Sequence, residues 1–428
     1  MTMTNKDLWA RREAAVARGV GTIHPRFTSH AKNAELWDVE GKRYIDFATG
    51  IAVTNTGHSD PRIVEAVKAQ IDKFSHSCYQ VNPYESYISL AEKLNQLAPG
   101  RTPKKSIFLS TGAEAVENAI KIARAATGRP GVIAFKGGFH GRTMMGMALT
   151  GKVAPYKVGF GPFPADIFHV PFPVDYHGIS EADSLMALAD LFKADIEPQR
   201  VAAIILEPVQ GEGGFYAASP SFMQSLRSIC DEHGILLICD EIQTGFARTG
   251  AMFATCHSGI EPDLMTVAKA MAGGFPISGV VGKAAIMDMA APGGLGGTYG
   301  GSPLGCVAGL KVLEIIEQDG LCARANEIGA LFMKKLNALQ AECPNSIGNV
   351  RNIGAMIAME LVHNGNAEKP NPELTQKLVQ AAAENGLILL SCGVRGNVIR
   401  FLPALTAPEA ILTEGLEILS QTLKSLEQ

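Results

Sequence analysis

No apolar run in the 428 residues reaches the roughly 18–20 needed to span a bilayer, so no membrane partner is expected. Basic residues are not in excess. Lys and Arg number 38 against 42 Asp and Glu, which argues against a nucleic-acid surface. Residues 1–19 have no apolar h-region, and Asp7 and Glu13 weaken a mitochondrial-transit reading. The 8 cysteines form no CxxC pair, and several sit in apolar strings such as LLICDE, where Cys behaves as a small hydrophobe. A reduced, cytoplasmic protein is expected. None of the 10 histidines falls in an HExxH pattern, so no metal is expected, and no GxxxxGK[ST] loop occurs.

What is present is apolar bulk and glycine. The hydrophobic fraction is 46%, enough for a large core, and 45 glycines imply many tight turns or close backbone approaches. At about 150 residues per domain the length suggests two or three domains. Short apolar runs recur at 106–110, 132–135, 201–206, 235–239, 264–268 and 277–281. They are nearly continuous rather than alternating, as in strands buried on both faces. Helical patterns lie between them. Residues 113–127 space Val116, Ala119, Ile120 and Ala123 on one face, and residues 220–233 start after Ser219 and stop at Gly234. This alternation predicts an α/β fold with a mostly parallel sheet covered by helices. The ends read differently. Residues 36–47 suggest a hairpin turning at Glu40-Gly41. From about Leu321 the pattern is α+β: a helix, a strand over 355–362, a polar loop HNGNAEKPNPE, a helix over 374–384, strands over 387–390 and 397–402, and a last helix from about Pro408.

Three places carry chemistry. Ser110-Thr111-Gly112-Ala113-Glu114 follows a strand and opens a helix with capping-box spacing. Free N–H groups there can hold an anion, though a plain capped helix reads the same way. Asp240 ends the run ILLIC at a strand's carboxyl end, where ligands lie in open α/β sheets; a lone Asp also caps turns. Lys269 closes LMTVA, where burial makes an amine nucleophilic, unless the side chain snorkels to solvent. Together a phosphate cradle, an acid for a ring nitrogen and an amine for an aldehyde are what pyridoxal phosphate needs.

At these residues the chain resembles the class III pyridoxal-phosphate aminotransferases, among them the bacterial 4-aminobutyrate aminotransferases. The resemblance runs through GIAVTNTGH (50–58), STGAEAVENAIKIARAATGRPG (110–131), FHGRT (139–143), EPVQGEGGF (207–215), CDEIQTGFARTG (239–250), AKAMAGGFPISG (268–279), PGGLGGTYGGSP (292–303) and GNVIRFLPALT (396–406). It implies fold type I, with a seven-stranded, mostly parallel sheet in a large cofactor domain (61–320). It also implies a small α+β domain (321–428), against which residues 1–60 pack. Lys269 matches the lysine that bonds the cofactor and Asp240 the partner of its ring nitrogen. Gln243 matches the residue near the ring hydroxyl, Phe139 the stacked aromatic, and Gly112 and Ala113 the phosphate turn. Thr298 matches the residue reaching the phosphate of the neighbouring subunit, which implies a homodimer or tetramer with shared sites. Arg142 matches the grip on the amino acid's distant carboxylate, Arg400 that on the α-carboxylate of 2-oxoglutarate, Glu212 the switchable partner of Arg400, and Ile51 a pocket wall.

The implied reaction moves the terminal amino group of 4-aminobutyrate to 2-oxoglutarate, giving succinate semialdehyde and glutamate by ping-pong kinetics, with Lys269 as general base and acid. The alternatives are 5-aminovalerate, ornithine or acetylornithine as donor, since one methylene is worth only ~1–3 kcal/mol. Further off stand an aminomutase or decarboxylase, a nucleotide-binding oxidoreductase (disfavoured because Gly211-Glu212-Gly213-Gly214 lacks a GxGxxG opening a helix), and a non-catalytic binding module. Two departures from relatives stand out. Ala113 replaces a frequent Ser in the cradle, where backbone N–H groups can compensate. Arg395 replaces a frequent aromatic near Arg400 and is expected to bear on substrate length or carboxylate binding.

Overall fold

The computed structural model describes residues 3–427. Its centre is a seven-stranded sheet in the order Lys104–Leu109, Ser278–Lys283, Leu264–Val267, Leu236–Asp240, Val201–Leu206, Gly131–Phe135, Ile167–Val170. Only Ser278–Lys283 runs antiparallel to its neighbours. Every residue of Val201–Leu206 and of Gly131–Phe135 is buried, because helices cover both faces. One covering helix, Gly112–Thr127, is closed by a capping box of Thr111 with Glu114 and ends on Gly128 at φ 68°. Another, Pro220–His233, has Ser219 as its cap and Gly234 at φ 62° after its last turn.

The expected hairpin forms as Glu35–Asp38 and Arg43–Asp46. Its second strand pairs in parallel with Leu387–Ile388, so a four-stranded sheet joins residues from both ends of the chain. The strand expected over 387–390 is in fact two. Leu387–Ile388 belongs to that sheet, while Leu390–Cys392 pairs with Val398–Phe401 in a separate sheet. The polar stretch HNGNAEKPNPE is not only a loop either. Asn366–Pro370 folds back on Met356–His363 through Asn364-Gly365, at φ 54° and 65°. An Asn-Gly pair that accepts left-handed backbone is the strongest short hairpin signal, and it outweighs the low apolar content of the stretch. A further strand, Ile347–Ile353, pairs antiparallel with Met356–His363.

The strand Met356–His363 carries a buried carboxylate, Glu360. It accepts from Tyr216 Oη at 2.6 Å, Arg351 Nη1 at 3.0 Å and Asn397 Nδ2 at 3.3 Å, with His177 Nε2 at 3.0 Å. Burial alone would raise its pKa, but the hydrogen bond from His177 and the charge of Arg351 win and hold it at about 2. A depressed carboxylate stabilises the fold above its ordinary value of 4.5, and that contribution drains away as pH falls toward about 2. Glu360→Gln is expected to lower stability at pH 7 by about 2 kcal/mol, since it removes the buried charge that accepts from Tyr216, Arg351 and Asn397. A urea midpoint that does not move at pH 7 would refute this.

Candidate active site

The carboxyl ends of the parallel strands open on a cavity of about 320 Å³. Gly112, Ala113, Phe139, Asp240, Gln243 and Lys269 all line it. Asp240 is the last residue of its strand, and Lys269 follows Leu264–Val267 on the neighbouring one. Lys269 has φ 47°, a left-handed backbone rare for a side chain of its size. Ala268, at φ −167° and ψ −146°, leads the chain into that turn. Burial is the main force on the Lys269 amine and lowers its pKa; the carboxylate of Glu212 opposes this and the charge of Arg400 adds to it. Glu212 and Arg400 therefore sit within electrostatic reach of the amine, although neither lines the cavity.

Asp240 is fixed on both oxygens. Its Oδ1 accepts from Thr266 Oγ1 at 2.9 Å and from the Ile242 N–H at 3.2 Å, and Oδ2 lies 2.8 Å from His140 Nδ1. His140 was not singled out from the sequence. Burial would lower its pKa, but the hydrogen bond and charge of Asp240 outweigh burial and raise it. Glu207, which opens the EPVQGEGGF string, accepts from the backbone N–H groups of Phe139 at 2.8 Å and Gly211 at 2.9 Å. Burial pushes its carboxyl up to about 7. It thus ties the stacked-aromatic position to the loop that carries Glu212.

The carboxylate-binding candidates form a second layer. Arg400 is buried on Val398–Phe401 and its Nη1 is ion-paired with Glu212 Oε1. Burial opposes the charged carboxylate, yet the charge of Arg400 prevails and holds Glu212 below its ordinary value. Arg142 is exposed, with its guanidinium 5.2 Å from the centroid of the Tyr156 ring. Ile51 is 40% exposed and sits in a turn, Thr49–Ala52, whose four residues have φ of 46°, 62°, 67° and 61°. That run of left-handed backbone is held by Asp46 Oδ1, which accepts from Ala48 and Thr49 N–H, and by Thr49 Oγ1 donating to Leu402 O. Thr298 is exposed and does not line its own chain's cavity. Arg395 turns elsewhere: its Nη1 donates to Ala367 O at 2.9 Å and Nη2 lies 3.5 Å from Glu368. The hairpin absent from the sequence reading supplies both acceptors.

The cavity also contains unmet polar demand. Among the described residues the Gly112 and Ala113 N–H groups have no partner, and the buried Gln243 Oε1 and His140 Nε2 have none. A Cβ on Gly112 would come 2.9 Å from Ile242 Cδ1, so a side chain there would have to displace the end of Ile242.

A class-III aminotransferase family model matches residues 15–423. The chain belongs to the class-III aminotransferases. It is 56% identical over 426 residues to the 5-aminovalerate aminotransferase DavT of Pseudomonas aeruginosa, covering 100% of both chains. It is 53% identical to the 4-aminobutyrate aminotransferase GabT of Escherichia coli, covering 99% of this chain and 100% of that one. Among solved structures, an omega-transaminase from Thermomicrobium roseum superposes with a TM-score of 0.91 at 29% identity over 100% of both chains. The expected fold type I is the fold found, and this aminotransferase depends on pyridoxal phosphate. The unmet groups fit that cofactor. The Gly112–Ala113 turn would hold its phosphate, Asp240 its ring nitrogen, Gln243 Oε1 its ring hydroxyl, Phe139 its ring face and Lys269 its aldehyde. When bound, the cofactor supplies an electron-withdrawing ring that stabilises charge on the carbon losing a proton. Lys269 would be placed to carry that proton and Asp240 to keep the ring cationic, while Thr266 and His140 hold Asp240 in place.

Proposed function

We propose that this aminotransferase moves the terminal amino group of 4-aminobutyrate to 2-oxoglutarate, giving succinate semialdehyde and glutamate in a ping-pong cycle. One observation carries the reading: the buried Arg400 beside Lys269 already has a carboxylate partner, Glu212, within its own chain. 4-Aminobutyrate has one carboxylate, and glutamate has two. A site serving both needs an arginine that can be neutralised when the second carboxylate is missing, because an unpaired buried charge costs several kcal/mol. Glu212 does this on Arg400, while Arg142 grips the carboxylate common to both donors. In the same reading Ile51 is a pocket wall, and Thr298 reaches the phosphate site of a partner copy, which makes the enzyme a homodimer with shared sites; its scattered, unpaired cysteines fit a reduced cytoplasm. Residues 1–60 and 321–428 then form one unit against a cofactor domain at 61–320.

The second reading is 5-aminovalerate as donor, favoured by the 56% identity to a 5-aminovalerate aminotransferase. The two donors share the same terminal groups and differ by one methylene, so both leave Arg400 paired with Glu212. A panel of single half-reactions, with each amine mixed separately with holoenzyme and the cofactor absorbance followed, ranks them by kcat/KM. A preference for ornithine or acetylornithine over both would overturn the proposal. Within this scheme Glu212→Ala is expected to cut kcat/KM for 4-aminobutyrate by about 10²-fold, because it leaves Arg400 bare in that half-reaction alone. Glutamate, which brings its own carboxylate, should lose little. Equal losses with both donors would remove Glu212 from the selection.

A further inference from the structure

Tyr156 lies in residues 150–166, a stretch with no helix or strand, yet it is only 9% exposed. Three contacts converge on it. Its hydroxyl donates to Glu212 Oε2 at 3.1 Å. Its ring lies 4.9 Å from the Phe139 ring, tilted by 56°. The Arg142 guanidinium lies 5.2 Å from the same ring. One side chain thus touches the carboxylate that covers Arg400, the aromatic of the cofactor pocket, and the arginine assigned to the distant carboxylate.

Glu212 is pinned by both oxygens, Oε1 on Arg400 and Oε2 on Tyr156. With the ring held by Phe139 and Arg142, the hydroxyl presents a fixed donor rather than a mobile one. Burial and the charge of Glu212 both raise the phenol's pKa, so it remains a donor throughout the working pH range. A carboxylate bound at one oxygen can swing; one bound at both must break two interactions to leave. We propose that Tyr156 is a specificity-determining positioning residue that biases the enzyme toward donors with a single carboxylate by holding Glu212 over Arg400. The inference rests on the reading of Glu212 as the removable partner of Arg400.

The test uses four holoenzymes: wild type, Tyr156→Phe, Glu212→Ala and the double variant. For each, half-reaction kcat/KM is measured with 4-aminobutyrate and with glutamate. Tyr156→Phe keeps the ring and removes only the donor. It should lower the ratio of 4-aminobutyrate to glutamate about tenfold, the scale of one hydrogen bond to a charged group. Placed on Glu212→Ala it should lower the ratio no further, since its target is gone. A residue that merely supports the loop would depress both donors together and leave the ratio unchanged. An unchanged ratio in Tyr156→Phe, with a fall in Glu212→Ala, overturns the role of Tyr156 and spares the gate. An unchanged ratio in Glu212→Ala overturns the gate and the inference with it. A full further drop in the double variant also overturns the inference, because Tyr156 would then act by another route.

Discussion

Lys269→Ala should abolish turnover, with the transamination rate falling by at least about 10⁴-fold. Among the residues lining the cavity Lys269 has the only side-chain amine, so nothing else there can bond the cofactor's aldehyde or carry the transferred proton. The local structure prepares it for both tasks. Burial lowers the amine's pKa and so increases its neutral, nucleophilic fraction. The left-handed backbone at φ 47° fixes the direction in which the side chain leaves the sheet. Two measurements check the assignment. Borohydride treatment of wild-type holoenzyme followed by peptide mapping should find the cofactor's mass on Lys269. A small primary amine added to the variant should restore part of the proton transfer. The mass on any other lysine, or a variant retaining more than one-hundredth of the wild-type rate, would contradict the proposed role.

Asp240→Asn should cost about 10³-fold in kcat/KM with either donor, corresponding to the loss of a buried ionic partner worth about 4 kcal/mol. The amide preserves shape and can still accept from Thr266 Oγ1, so packing is largely retained. What disappears is the negative charge that would face the cofactor's ring nitrogen, along with the charge that raises the pKa of His140. The loss should fall on the chemical step, seen in single-turnover rates, rather than on amine binding. It should also be the same for 4-aminobutyrate and glutamate, unlike the donor-selective effect of changing Glu212. A variant within threefold of wild type in single turnover would remove Asp240 from the charge-stabilising role.

Much of the fold could be read because the large sheet is covered on both faces. Strands such as Val201–Leu206 must then be apolar throughout, and a polar residue closing such a run is conspicuous. That is why Asp240 and Lys269 could be singled out one at a time. His140 could not, because its meaning comes from a carboxylate one hundred positions away, and no local period links them. Tyr156 was invisible for a similar reason: its stretch has no regular structure, and its contacts come from two other segments, at 139–142 and at 212. Arg142, Arg400 and Glu212 rested on family resemblance alone, since an arginine in a sequence does not reveal which acid it will face. The partners of Arg395 were hidden with the missed hairpin. Composition made 363–373 polar, while two left-handed residues in sequence made it fold back.

The pairing of Arg43–Asp46 with Leu387–Ile388 has a consequence for synthesis on the ribosome. Ile45 donates to Gly386 O and Phe47 to Ile388 O, bonds whose acceptors are translated more than three hundred residues later. At about 5–20 residues per second the early hairpin waits on the order of tens of seconds with one edge bare. During that interval the turn at Thr49–Ala52 also lacks Leu402, one of its anchors, so the nascent N-terminal segment must stay unfinished until the last strands emerge.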